Sequence, residues 1–188
     1  MKEFIAVIAA ILAIAGNIPY IIDMVRGRVQ PHAYTWFIWT IVSCVVFFGQ
    51  VQKGAGIGAL PTAASEIFTV IIFIFSLRYG FKYTSRLDTV FLVIALLGLI
   101  PWAYTKDPTL SVVIVVTIDA IAFLPTLRKT WRMPQTETPV LYGSNVLRHA
   151  LALFSLQSYN IATTFHSIVM IVLNAAMTAI IMVRRKER

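Results

Sequence analysis

Charge is what this chain has least of. Only 13% of its 188 residues are Asp, Glu, Lys or Arg, and only eight are acidic, against 59% hydrophobic residues. So few charged groups cannot clothe a soluble domain of this length. Cysteine is nearly missing too. Cys44 is the only one, so an internal disulfide is excluded, and it falls in an apolar run where no role is assigned to it. The three histidines (His32, His149, His166) and Cys44 have no metal-ligand spacing. Gly54, Gly56 and Gly58 form a flexible loop and not a phosphate cradle, and no Ser/His/acid set stands together. These absences point away from an enzyme and call for no cofactor or metal.

Long apolar runs fill the space that charge leaves. Seven of them, at about 4–23, 33–50, 60–79, 88–104, 109–128, 138–156 and 160–183, are separated by short polar or basic breaks. Each is about the length of a membrane-spanning helix. Together they consume most of the chain and leave no room for a separate soluble domain. The expectation is an all-α integral membrane protein with seven transmembrane helices. Lys2, the apolar run after it and Ala13-Ile14-Ala15 imitate a secretory signal peptide. Cleavage there would remove most of helix 1, whose Pro19 has a counterpart in helix 5, so the segment is read as a helix.

The net charge of +8 would suggest nucleic acid in a soluble protein, but its placement gives another answer. The loops after helices 1, 3 and 5 and the C-terminal tail hold twelve cations: Arg26, Arg28, Arg78, Lys82, Arg86, Arg128, Lys129, Arg132, Arg184, Arg185, Lys186 and Arg188. The opposite side holds three, Lys2, Lys53 and Lys106, and Arg148 is left inside a helix. The positive-inside rule then predicts an external N-terminus and a cytoplasmic C-terminus in the cell (inner) membrane. That split requires an odd number of spans, which agrees with seven.

The second half of the chain repeats the first. Gly16-Asn17-Ile18-Pro19-Tyr20, followed by Arg26, Arg28, Pro31, Tyr34 and Trp36, is answered by Ala122-Phe123-Leu124-Pro125-Thr126, followed by Lys129, Arg132, Pro134-Gln135 and Tyr142. A shift of 106 places Pro19 on Pro125, Arg26 on Arg132 and Trp36 on Tyr142. The predicted order is a three-helix repeat over 1–84, a linker helix over 85–106 that ends with Pro101-Trp102, and a second three-helix repeat over 107–188. One inverting helix between two three-helix units makes them parallel, which is a known transporter plan.

On these residues the chain resembles the SWEET/PQ-loop superfamily, which includes SWEET sugar transporters, PQ-loop amino-acid transporters, Pnu vitamin transporters and KDEL receptors. The resemblance rests on the 3+1+3 plan, the N-outside orientation and a proline in helices 1 and 5 followed by basic residues. It covers essentially the whole length. The family's Pro-Gln dipeptide reads Pro19-Tyr20 in the first copy and Pro125-Thr126 in the second, with Pro134-Gln135 one loop later. The resemblance implies that Pro19 and Pro125 act as hinges for alternating access. Read from the residues alone, each could equally end its helix before a basic loop. Pro31 and Pro139 begin helices 2 and 6, where proline is tolerated, and would complete the superfamily's proline tetrad.

Ionisable groups in a bilayer cost about 2.5–3.5 kcal/mol each on insertion scales, so they need partners or a function. Glu66, Asp119 and Arg148 stand near helix centres, with Asn174 close to the same depth. Asn145, Arg148 and His149 share one face of helix 6. Thr62, Glu66, Thr69 and Ser76 form a stripe on helix 3, and Thr163, Ser167, Asn174 and Thr178 one on helix 7. The resemblance implies an asparagine against the substrate on helices 3 and 7. Asn174 keeps it and Glu66 departs from it, which favours a cation, an amine or a coupling proton over a plain sugar. Two readings of the cluster stand open: a substrate or proton site, or a fixed pair in which Arg148 neutralises Glu66 or Asp119. Trp36 and Trp39 share a face of helix 2. Trp36 reads as belt or gate, and the deeper Trp39 as a ligand-stacking ring. His166, off the Asn174 stripe, reads as a packing residue. Asn17 is placed to satisfy a freed backbone group or to line the pathway.

The expected function is alternating-access passage of a small polar metabolite, of sugar, nucleoside/vitamin or amino-acid type, with the lipid bilayer as surroundings and no nucleic-acid partner. Trp39, Asn145 and Asn174 would contact the solute, and Glu66, Asp119 and Arg148 would set charge selectivity or coupling. The other class is a membrane receptor that binds without transport. Both halves lie in one chain, so a pathway needs no second copy, and the sequence leaves the oligomeric state open.

Overall fold

A computed structural model describes residues 1–82 and 84–186, with every side chain among them except those at 101 and 102. Arg188 of the basic tail and the Pro101 and Trp102 side chains lie outside the described residues. The described chain is all-helical: α1 (Lys2–Val25), α2 (Ala33–Gln52), α3 (Leu60–Tyr79), α4 (Arg86–Tyr104), α5 (Pro108–Arg132), α6 (Pro139–Ser155) and α7 (Ile161–Lys186), with 3₁₀ turns at Gly56–Ala59 and Pro134–Thr136. The seven apolar runs are the seven helices, with ends displaced by a few residues.

Local chemistry explains several of those ends. Asp107 caps α5, its carboxylate accepting from the Thr109 and Leu110 N–H groups at 2.6 and 3.0 Å. Those two backbone donors hold the Asp107 carboxyl below the usual range. Thr138 caps α6 through the Val140 N–H. Pro108 and Pro139 stand at first positions, where the missing N–H costs nothing. Pro31 departs from expectation. It does not begin α2 but lies in the preceding loop, where its carbonyl accepts from the Phe81 N–H at 2.8 Å. Pro19 and Pro125 do not end their helices, since α1 and α5 each continue for about two turns beyond them.

Five stretches are long and apolar enough to cross a membrane: Lys2–Val25, Ala33–Gln52, Gly56–Tyr79, Pro108–Arg132 and Ile161–Lys186. α1 displays the consequence. Phe4, Val7, Ile11, Ile14, Ile18, Ile22 and Val25 follow each other at three- and four-residue steps and are all exposed. A continuous apolar stripe on the outside of a bundle suits lipid and not water.

α3 packs against α1 and α2, and α7 against α5 and α6. α1 meets α6, α2 meets α5, and α4 lies on α5 and α2. The N-terminus belongs to one end of the bundle, where Lys2 donates to the Leu156 carbonyl at 2.6 Å. The C-terminal turn belongs to the other, where Arg185 donates to the carbonyls of Pro134 and Glu137.

Candidate functional site

A polar cavity lies in the middle of the bundle. Its walls come from six helices: Asn17 on α1; Trp36, Trp39 and Ser43 on α2; Thr62, Ser65 and Thr69 on α3; Asp119 on α5; Asn145, Arg148 and His149 on α6; and His166, Met170 and Asn174 on α7. No described residue of α4 lines it. The cavity offers about 60 Å³ to water-sized groups. One water needs roughly 10–15 Å³ on that measure, and drug-sized ligand pockets run to about 300–1,000 Å³. In this state the cavity holds a few small groups at most.

Trp39, Asp119, Asn145, Arg148, His149 and Asn174 are thus brought together. Glu66 is not among the lining residues. It is half-buried and turned towards Cys44, whose thiol donates to Oε1 at 3.5 Å, and its neighbour Ser65 faces the cavity instead. Trp36 is no interfacial belt residue. It is 3% exposed, lines the cavity and packs on the Tyr20 ring with centroids 5.5 Å apart.

The acid–base pairing is also not one of the two expected. Arg148 pairs with neither acid. Its Nε donates to Asn145 Oδ1 at 3.1 Å, its Nη1 to the Pro61 carbonyl at 3.5 Å, and its Nη2 lies 2.6 Å from His149 Nε2. Asn145 in turn donates to Asn174 Oδ1 at 3.4 Å, and Asn174 to the Met170 carbonyl at 2.8 Å. Asp119 Oδ2 lies 3.5 Å from His166 Nε2, so His166 is a wall of the site and not mere packing. The His149 and His166 rings meet edge to face at 5.3 Å, which joins the Arg148 and Asp119 groups into one row across α6, α7 and α5. Among the cavity's side chains, Trp36 Nε1, Trp39 Nε1 and His166 Nδ1 are buried without a hydrogen-bond partner. Asn17 lines the wall and donates to the Ala13 carbonyl at 2.7 Å, so it does not serve the Ala15 carbonyl freed by Pro19.

Towards the C-terminal end the cavity is closed by aromatic rings. Trp36 stands edge to face on Trp39 at 5.0 Å and Phe123 edge to face on Tyr142 at 6.2 Å, with Trp39 and Phe123 tilted against each other at 5.0 Å. Beyond the rings, the Tyr20 and Tyr142 hydroxyls both donate to Glu137 Oε2 at 3.0 Å. Glu137 Oε1 accepts from Lys129, which also donates to the Gln30 carbonyl. Lys129, counted from the sequence with the basic loops, sits inside α5 and is 5% exposed. Sequence reasoning did not single out Glu137, and it named Tyr20 and Tyr142 only for their places in the two repeats. One usable signal was an acid two residues before Pro139 in an otherwise basic stretch.

The hinge candidates differ in setting. Pro125 is buried, and Thr35 at the start of α2 donates to the nearby Ala122 carbonyl at 2.7 Å while accepting from Thr126 at 3.0 Å. Pro19 faces outward.

No family model, no curated protein and no solved structure matches this chain.

Proposed function

We propose that this protein is a membrane transporter that passes a small polar metabolite by alternating access, as its resemblance to the SWEET/PQ-loop superfamily implies. The observation that carries the reading is the small polar cavity whose walls come from six helices, with no described residue of α4 among them. A receptor needs one open pocket. A carrier needs a central site walled by both groups of helices, and this cavity of about 60 Å³ draws its walls from both.

All seven helices span the membrane in this reading, α1–α3 and α5–α7 as two parallel repeats and α4 as the inverting link. The packing pattern supports it. Exchanging the halves turns the α1–α3 contact into α5–α7, α2–α3 into α6–α7, and α1–α6 into α5–α2, and each of these contacts exists. The basic loops put the Lys129–Glu137 end in the cytoplasm. Pro19 and Pro125 interrupt the backbone ladder inside α1 and α5, which lets the halves rock about the cavity.

The test needs no known solute. With Cys44 replaced by serine, Ser65→Cys puts a single thiol on the cavity wall. A membrane-impermeant thiol reagent should label it from either face of a sealed vesicle, in turn. Labelling from one face only would replace the transporter by a receptor that binds without passage.

A further inference from the structure

The chemistry of the solute can be read from what the cavity wall leaves unsatisfied. Arg148 is 5% exposed at mid-bundle, yet no carboxylate among the described residues lies within 4.0 Å of it. Its three hydrogen bonds all go to neutral groups: an amide oxygen, a backbone carbonyl and an imidazole nitrogen. A guanidinium has five N–H donors, so two remain unfilled, and its charge is uncompensated. Buried charges at this depth are paired as a rule, because leaving one alone costs several kcal/mol. Of the acids that could have served, Asp119 lies against His166, and Glu66 lies against Cys44 outside the cavity lining, with its Oε2 buried and unpartnered.

Besides His166 Nδ1, the unfilled capacity around Arg148 is of one kind. Trp36 Nε1–H and Trp39 Nε1–H line the same cavity and lack acceptors. A wall with spare donors and a spare positive charge calls for an occupant that accepts and is anionic. A carboxylate fits the planar guanidinium fork with two parallel hydrogen bonds. The available 60 Å³ corresponds to about four to six water-sized groups, which bounds its size.

We propose that the solute is a small organic carboxylate of about four to six heavy atoms, with its carboxylate on Arg148 and a further acceptor oxygen within reach of the Trp36 and Trp39 indoles. The proposal rests on the reading of this cavity as the solute site. It also reverses the sign expected from Glu66, since that side chain faces away and the cation in the cavity is the protein's own.

The experiment measures the melting temperature of the purified full chain in acetate, pyruvate and lactate against chloride, glucose and ethylammonium, at one pH and one ionic strength. A ligand that binds only the folded state raises it. The expected result is a rise of several degrees with at least one carboxylate and none with the other three. Arg148→Gln should abolish it. Two milder variants keep the test independent of whether Arg148→Gln folds. Arg148→Lys keeps the charge but loses the fork and should weaken the response about tenfold. Trp39→Phe loses one donor and should weaken it about threefold. No response to any carboxylate, stabilisation by chloride or glucose instead, or an unchanged carboxylate response in both mild variants would overturn the proposal. The two readings fail separately. Labelling of Ser65→Cys from both faces without a carboxylate response keeps the transporter and removes the carboxylate. A carboxylate response with labelling from one face does the reverse.

Discussion

The first three helices and the last three build opposite sides of one cavity from different materials. α1–α3 contribute rings, hydroxyls and one amide: Trp36, Trp39, Ser43, Thr62, Ser65, Thr69 and Asn17. Both ionisable side chains of opposite kind, Asp119 and Arg148, and both imidazoles, His149 and His166, come from α5–α7. The lock beyond the rings is divided in the same way, since Lys129 and Glu137 belong to the second part and Tyr20 from the first supplies only a hydroxyl. The two groups of helices have therefore been filled unequally. One side supplies rings and hydroxyls, and the other the ionisable groups. Concentrating the charge lets its members hold one another through short steps along α6 and α7, which a split across the bundle would not allow.

The largest expected effect comes from breaking the charged side at its best-buried point. Glu137→Ala leaves the Lys129 ammonium buried without its counterion and strips two phenols of their acceptor. It should destabilise the protein by about 3–5 kcal/mol in denaturant unfolding. Replacing the pair together, Lys129→Met with Glu137→Leu, should recover most of that loss, because no lone charge is left behind. A small cost for Glu137→Ala alone would mean that the rings and not the ion pair hold this end shut.

The next test asks whether the first part really is free of buried charge. His32, in the loop before α2, is 1% exposed, stacked on Phe81 at 6.3 Å and set edge-on to Tyr34 at 5.6 Å. Burial pushes its imidazole down from 6.5 to about 4, against a smaller upward pull from Asp88 and alongside a downward push from Lys129. Between those values the unfolded chain binds the proton and the folded one does not. Stability is therefore complete above pH 6.5 and lost as pH falls towards 4. The slope is at most about 1.4 kcal/mol per pH unit. Unfolding measured across that window should show the loss, and His32→Phe should flatten it. An unchanged slope in His32→Phe would assign the pH response to another group.

A smaller effect is expected where the two parts touch through backbone. Gly58 belongs to the 3₁₀ turn before α3. A Cβ there would come within 2.9 Å of Leu156 Cα, 3.0 Å of its Cδ2 and 3.1 Å of its N. Two of those atoms are backbone and cannot swing aside, so Gly58→Ala should cost about 1–3 kcal/mol in the same unfolding assay. A neutral substitution would show that the turn moves freely against the end of α6.

Helix number and position were legible because each helix is a long apolar run bounded by polar or basic breaks, a signal that each segment carries independently of its neighbours. The Asp107 and Thr138 caps, the first-turn prolines and the basic loops are likewise local signals. The site was legible in membership more than in pairing. Asn145, Arg148 and His149 at one-turn spacing announce a common face, and they share one. Glu66 misled because a stripe fixes which residues align along a helix but not which way the stripe turns. A rotation of about 100° per residue separates it from Ser65, which took its place. His166 was set aside because it lies off the line through Thr163, Ser167 and Asn174. Yet His166, Met170 and Asn174 follow at four-residue steps, and a curved wall admits that slow winding. The partners of Arg148 and Lys129 depend on distances between helices, about which no single-helix pattern carries information.

The smallest effect falls on the seam between α2 and α5, and it bears most directly on whether the two parts move as units. Thr35 donates to the Ala122 carbonyl at 2.7 Å and accepts from Thr126 at 3.0 Å, beside Pro125. All the groups concerned are neutral, and such bonds between membrane helices average about 0.6 kcal/mol with a ceiling near 1.7. Thr35→Val keeps the shape and removes the hydroxyl, so stability should fall by no more than that. The effect on motion should be easier to see. If the hydroxyl holds α5 at its proline, its loss should speed labelling of Ser65→Cys from one face more than from the other. Equal acceleration from both faces would mean that the seam is only glue. A change on one side alone would make Pro125 the point about which the charged part of the molecule turns, with the outward-facing Pro19 left a lesser role.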